Sequence, residues 1–116
     1  MYALDNQHLN IARMMIASGY NVNERYSYNR TALMNAAMRG NCQVCELLVN
    51  SGCHLNAVDN DGRSALVLAL RFGEVKCARL LIASKCATQL VDKSGKTAKD
   101  YATNTQEVVS LLSNSE

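Results

Sequence analysis

The chain has 116 residues, of which 48% are hydrophobic and 19% charged, and its formal net charge is +2. This composition is typical of one folded domain and excludes an intrinsically disordered chain. No apolar run reaches the length of a membrane span, and no secretory signal pattern opens the sequence. A charge of +2 is too small to indicate nucleic-acid binding by itself. The five cysteines follow no disulfide-framework spacing, which predicts a reducing compartment, the cytoplasm or the nucleus.

Similar residues return along the chain at a fixed step. Gly19 and Gly52 are 33 residues apart, and Thr31, Ser64 and Thr97 follow one another at the same spacing. A period near 33 is typical of stacked-repeat proteins, in which each unit buries its apolar face against the next unit. The sequence therefore predicts four consecutive units within one domain, residues 1–116.

The first unit, residues 1–25, is incomplete because it lacks the turn that opens the other units. Tyr2–Gln7 is predicted to be the remainder of one helix, and Leu9–Ser18 a second helix that ends at Gly19. The apolar face of the second helix carries Ile11, Met14 and Met15. This face is expected to be partly uncovered, which favours self-association there. The missing turn means either that the protein starts this abruptly or, as we expect, that the chain is cut from a longer array.

The second unit, residues 26–58, contains the signals of two short helices. Thr31 is predicted to cap the first helix, and Gly40 to end it. The apolar positions of the first helix are Leu33, Ala36 and Ala37, and those of the second helix are Val44, Leu47 and Leu48.

The third and fourth units, residues 59–91 and 92–116, repeat this order. Asp59–Gly62 is a turn sequence, Ser64 is the predicted cap, and Val75, Leu80 and Leu81 belong to the second helix. Lys85 replaces the glycine of the other units, so its turn is expected to be strained. In the fourth unit Gly95 and Thr97 keep the register. A two-residue deletion is predicted at Thr103–Thr105, before the polar capping end Ser113–Glu116.

The stretch D-N-D-G-R-S-A-L-V-L-A-L-R-F-G, residues 59–73, resembles the opening of an ankyrin repeat, D-x-x-G-x-T-P-L-H-x-A-x-x-x-G. N-R-T-A-L-M-N-A-A-M-R-G and V-C-E-L-L-V-N-S-G-C-H-L-N resemble the preceding unit, and D-K-S-G-K-T-A-K-D-Y-A a degenerate last one. The resemblance implies an all-α repeat solenoid of helix–turn–helix units joined by β-turn fingers. All units depart from the family at its Pro and His. The Pro is replaced by Ala32, Ala65 and Ala98, and the His by Met34, Val67 and Lys99.

The resemblance also implies a protein-interaction module without catalysis, cofactor or metal. In such proteins the fingers and first helices line a concave face that contacts the partner. The corresponding positions here are Tyr26, Tyr28, Arg30, Met38, Arg39, Asn60, Asp61, Arg63, Arg71, Phe72, Lys93 and Lys96. Arg30, Arg63 and Lys96 form a basic column at the repeat spacing, opposed in this set only by Asp61. The column favours an acidic or phosphorylated partner segment with an apolar anchor. Alternatively, the three basic side chains only keep the turns solvated.

Cys42 and Cys45 are spaced as in redox pairs and zinc sites. The repeat register instead aligns Cys45 with Ala78, a helix-packing position, and places Cys53 and Cys86 at a small-residue position. Cys42 alone is expected to be exposed. A metal- or redox-responsive element through Cys42, Cys45 and Cys53 is the alternative.

Other functions find less support in the sequence. Ser94–Thr97 reads S-G-K-T but lacks the first glycine of a phosphate-binding loop, and nucleic-acid binding is disfavoured by the interleaved Asp59, Asp61 and Asp92. Asn23 and Asn56 stand where members of the resembling family can be hydroxylated. Their alternative role is to form hydrogen bonds that hold the turns.

A further alternative for the whole chain is a targeting or regulatory arm of a larger protein, such as a ligase substrate receptor, a channel or a scaffold.

Overall fold

The computed structural model describes residues 10, 13–19, 21–102, 109–110 and 112. Residue 10 is helical, and so are residues 13–17, which we call α1. It is followed by a turn at Ser27–Asn29 and then by α2 (Ala32–Arg39), α3 (Cys42–Asn50), α4 (Ala65–Arg71), α5 (Val75–Ala83) and α6 (Ala98–Tyr101). Residues 109, 110 and 112 are also helical. The predictions for Tyr2–Gln7, Ile11, Thr103–Thr105 and Ser113–Glu116 lie outside the described residues.

The helices α2 and α4 each begin directly after a residue with a hydroxyl side chain. The Thr31 hydroxyl accepts a hydrogen bond from the Met34 N–H at 3.3 Å, and the Ser64 hydroxyl accepts one from the Val67 N–H at 3.4 Å. These bonds satisfy N–H groups that have no partner within the helix. Both predicted caps are confirmed.

The ends of the helices also follow the sequence. Gly40 ends α2 in the left-handed conformation, with φ of 76°, and Gly19 and Gly52 have φ of 85° and 84°. Lys85 adopts the same conformation with φ of 68°. Because a side chain crowds the backbone there, the predicted strain at Lys85 is confirmed.

The helices form two layers around an apolar core. The first layer contains α2, α4 and α6, in which α4 contacts both neighbours, and the second layer contains α3 and α5. The core is centred on α4, where every residue from Ala65 to Leu70 is buried. Cys45, Cys77 and Leu81 of the second layer have no exposed surface. No described helix is long and apolar enough to cross a membrane.

The N-terminal helix differs in part from the prediction. Met14 is 70% exposed and Met15 is half-buried, in accord with the partly uncovered face. However, among the described side chains of α1, that of Ile16 packs against the core, and the predicted apolar face does not include it.

Three β-turn fingers, residues 26–30, 59–63 and 92–96, stand side by side. Within each finger the N–H of the first residue donates to the carbonyl of the last, at 2.7, 3.0 and 2.9 Å. Between fingers, the Asn60 N–H donates to the Tyr28 carbonyl and the Lys93 N–H to the Asp61 carbonyl, each at 3.0 Å. These bonds hold the three fingers in a fixed row.

Candidate functional site

The predicted contact residues occupy two sets of positions. The first set lies on the three fingers, which precede the first helices of the units. The second set lies at the C-terminal ends of α2 and α4, at residues 38–39 and 71–72. The finger positions are brought together by the bonds between neighbouring turns. We call these two sets the finger face.

Exposed aromatic side chains are a prominent feature of the finger face. Tyr28 is 67% exposed, Phe72 is 50% exposed and Tyr26 is 42% exposed. The Arg30 guanidinium lies 5.0 Å from the centre of the Tyr28 ring, and the Arg71 guanidinium 5.7 Å from that of Phe72. Such cation–π contacts hold both partners in a limited set of orientations.

The backbone beneath Tyr28 is strained. Tyr28 and Asn29 both have positive φ, 59° and 62°, whereas the other two fingers place Gly62 and Gly95 at the position of Asn29. A bulky side chain rarely adopts this conformation. The neighbouring hydrogen bonds, including that from the Asn29 N–H to the Tyr26 carbonyl at 3.0 Å, hold it in place.

Two members of the basic column are paired with carboxylates of the following finger. Arg30 Nε lies 3.3 Å from Asp59 Oδ2, and Arg63 Nε lies 3.3 Å from Asp92 Oδ2. Both carboxylates are buried, with no exposed side-chain surface. The expectation that Asp61 is the only acidic residue to oppose the positive charge of the basic column is therefore wrong. The pairs join residues 29 apart, which stacking of the units brings together.

Asp59 and Asp92 also organise their own fingers. Asp92 Oδ1 accepts hydrogen bonds from the N–H groups of Ser94 and Lys96 at 2.9 and 3.0 Å. Asp59 Oδ1 likewise accepts hydrogen bonds from the N–H groups of Asp61 and Arg63 at 2.9 and 3.1 Å. The Tyr101 hydroxyl donates to Asp92 Oδ2. These contacts, led by the Tyr101 hydroxyl, lower the pKa of Asp92 to about 2. The repeat spacing of 33 between the two aspartates could have revealed this role.

The exposed positive charge of the finger face lies mainly on other residues. Arg39, Arg71, Lys93 and Lys96 are exposed, whereas Arg30 and Arg63 are partly buried. The Lys96 ammonium lies 5.7 Å from the centre of the Tyr101 ring. Met38 packs partly against the core, and Asn60 is exposed.

The two asparagines considered for hydroxylation join neighbouring units. Asn23 Oδ1 accepts a hydrogen bond from the His54 N–H at 2.7 Å, and Asn56 Oδ1 accepts one from the Ala87 N–H at 2.6 Å. This geometry agrees with the alternative role of bonding the turns. Hydroxylation of either residue stays a prediction.

The cysteines lie mainly in the core. Cys45 and Cys77 have no exposed surface, and Cys53 and Cys86 are each 8% exposed. Cys42 is half-buried rather than exposed, because its Sγ lies 3.0 Å from Cys77 Sγ. The expected exposure of Cys42 is therefore corrected.

Cys53 does not join the other two cysteines of the alternative metal or redox element. It follows the C-terminal end of α3, whereas Cys42 begins that helix, and nine helical residues span about 13 Å. In the described part of the chain, no group of three or more possible ligands is arranged to hold a metal ion.

Comparison with known proteins agrees with the architecture. A family model described as ankyrin repeats (3 copies) matches residues 1–90 and 33–116. None of the curated proteins compared with the chain matches it. The two matched segments together span the whole sequence, and the paired helices and fingers repeat at the expected spacing. The chain therefore belongs to the ankyrin-repeat family.

Proposed function

We propose that this chain binds a partner protein through the finger face, and that the bound segment is acidic or phosphorylated and carries an apolar anchor. Ankyrin repeats are generally protein–protein interaction modules. The observation that carries the proposal is the exposure of Tyr26 and Tyr28 on the first finger and of Phe72 at the end of α4, all of them on the finger face. Aromatic side chains leave water at a large gain in free energy when a partner covers them.

The exposed cations supply the preference for an acidic segment. Because Arg30 and Arg63 are neutralised by buried aspartates, the attraction is assigned to Arg39, Arg71 and Lys93. Arginine binds carboxylates and phosphates with two parallel hydrogen bonds, which also fixes the orientation of the partner. The hydrogen-bonded fingers require little rearrangement on binding.

The test is capture of partners from a cell lysate by the native chain and by a double variant, Arg71→Glu with Phe72→Ala. Both changes lie at exposed positions at the end of α4 and leave the buried aspartate pairs intact. We expect at least a tenfold loss of the captured partner, since hot-spot residues contribute roughly 2 kcal/mol each. Mass spectrometry identifies and quantifies the retained proteins.

A charge-matched control is Lys76→Glu, which lies on α5 in the second layer of helices. It changes the net charge of the chain as Arg71→Glu does, and it should leave capture unchanged. Circular dichroism must show equal folding of all three proteins. Retention of the same partners by the double variant would contradict the proposal.

A further inference from the structure

Two cysteines from different repeats meet where α3 and α5 pack together. Cys42 is the first residue of α3 and Cys77 the third residue of α5, and their sulfur atoms are 3.0 Å apart. A disulfide bond is about 2.05 Å long, so the sulfur atoms need to approach by only about 1 Å. We propose that Cys42 and Cys77 are a thiol pair that forms a reversible disulfide between α3 and α5.

The environment of the pair gives one sulfur access to a reagent. Cys42 and Cys77 lie at the wall of an open pocket of about 390 Å³, to which Glu74 and Lys76 also contribute. Cys42 is half-buried, whereas Cys77 has no exposed surface. Cys42 is therefore the residue that an external reagent reaches, and Cys77 is the resolving thiol behind it.

The oxidant is a low-molecular-weight disulfide of the glutathione class. The Cys42 thiol loses its proton, and its sulfur attacks one sulfur of the oxidant, whose S–S bond breaks. One glutathione leaves and takes up a proton. Cys77 then loses its proton and attacks Cys42 Sγ, forming the Cys42–Cys77 bond and releasing the second glutathione. In total, the two protein thiols lose two electrons and two protons, and the glutathione disulfide takes them up to become two thiols.

The surroundings of the pair slow its reaction with such an oxidant. Burial, followed by the contact with Cys77, raises the pKa of the Cys42 thiol to about 12, and Glu74 acts in the same direction against Lys76. The Cys45 contact and burial also raise the pKa of the Cys77 thiol. Since the thiolate is the attacking species, the first step is slow at neutral pH. The pair therefore responds to sustained oxidising conditions.

The proposal is tested by incubating the folded chain in glutathione buffers of increasing oxidised fraction and measuring its mass. The intact chain should lose about 2 Da, the mass of two hydrogens, and regain it when a reducing agent is added. Digestion after Lys, Arg and Glu separates residues 40–46, which contain Cys42, from Cys53 and from the peptide 77–79. A linked peptide joining 40–46 to 77–79 is the expected product.

Variants assign the sulfur atoms. Cys42→Ser should abolish the linked peptide, whereas Cys45→Ala and Cys53→Ala should retain it. Alanine occupies the repeat position equivalent to Cys45, at Ala78, so that variant is expected to fold. If Cys42→Ser lowers the helix signal, Cys42→Ala replaces it.

Three results would overturn the proposal. These are a native chain that keeps both hydrogens in the most oxidising buffer, a linked peptide that survives in Cys42→Ser, and disulfides that form only between chains. The predicted disulfide closes a loop of 35 residues and should raise the unfolding temperature by about 10 °C or more. An oxidised, linked chain with an unchanged unfolding temperature would contradict the native geometry of the pair.

Discussion

At the scale of single residues, the main finding is how the fingers are held. Asp59 and Asp92 each accept two hydrogen bonds within their own finger and pair with an arginine of the preceding one. Buried carboxylates are stable only with such partners. Arg30 and Arg63 therefore connect neighbouring units, and their substitution would disturb the fold as well as any binding surface.

Replacement of Asp92 should make stability less sensitive to acid. Because the pKa of Asp92 is about 2 in the folded chain, below its ordinary value of about 4, its stabilisation is present above pH 4. It is lost as the pH falls towards 2. Asp92→Asn should cost about 2 kcal/mol at pH 7 and much less at pH 2. Urea unfolding of both chains at the two pH values checks this.

Asp61→Asn is the matched control for this experiment. The Asp61 side chain is 55% exposed and contacts Arg63 at 3.3 Å, so its loss should change stability by less than about 0.5 kcal/mol. An equal loss of stability for Asp92→Asn at both pH values would contradict the assigned role of its charge.

At the scale of elements, the ends of the helices are set by a few turn residues. Gly52 and Lys85 occupy equivalent positions after α3 and α5, and both have positive φ. A glycine adopts this conformation without crowding, whereas a lysine does not. The same turn is therefore unstrained at Gly52 and strained at Lys85, so the two positions can be compared directly.

Lys85→Gly should stabilise the chain by up to about 1 kcal/mol. The free energy gained by relieving the strain exceeds the entropic cost of the more flexible unfolded chain. The reverse change, Gly52→Lys, should destabilise it by a similar amount. Apart from Gly52 and its two chain neighbours, no heavy atom of the described residues lies within 4 Å of the position that a Cβ would take on Gly52. The variant therefore tests backbone strain and not a steric clash. Thermal unfolding of both variants gives the comparison. Destabilisation by Lys85→Gly would show that its side chain makes a contact that outweighs the strain.

At the scale of the whole molecule, the position of α4 decides which part is most stable. Six of its seven residues are buried, and it contacts α2, α5 and α6. Units in a repeat array are stabilised mainly by their neighbours. Because α4 has neighbours on both sides, it should unfold locally least often among the described helices.

Hydrogen exchange should reflect this arrangement. The amides of α4 are expected to exchange most slowly among the described helices, and those of α6, which has four residues, faster. Exchange measured by mass spectrometry on peptides covering 65–71 and 98–101 checks the order. Equal protection of both helices would instead indicate that the described units unfold together.

Much of this architecture follows from local sequence. The 33-residue spacing, the hydroxyl residues at 31 and 64, and the glycines at 19, 40 and 52 predicted the units and their helix ends. Caps and turns depend on residues a few positions apart, whose conformational preferences act wherever they occur. The positions of the exposed aromatic residues followed from the same register.

The contacts between units were decided by tertiary structure alone. Arg30 meets Asp59 across 29 residues, and Cys42 meets Cys77 across 35, and the repeat register predicted neither pair. Neither separation equals the repeat of 33, because each contact depends on how far the helices advance and where the side chains point when two units stack. The sequence alone therefore determined the repeating unit, and packing determined which of its polar and sulfur groups are neighbours.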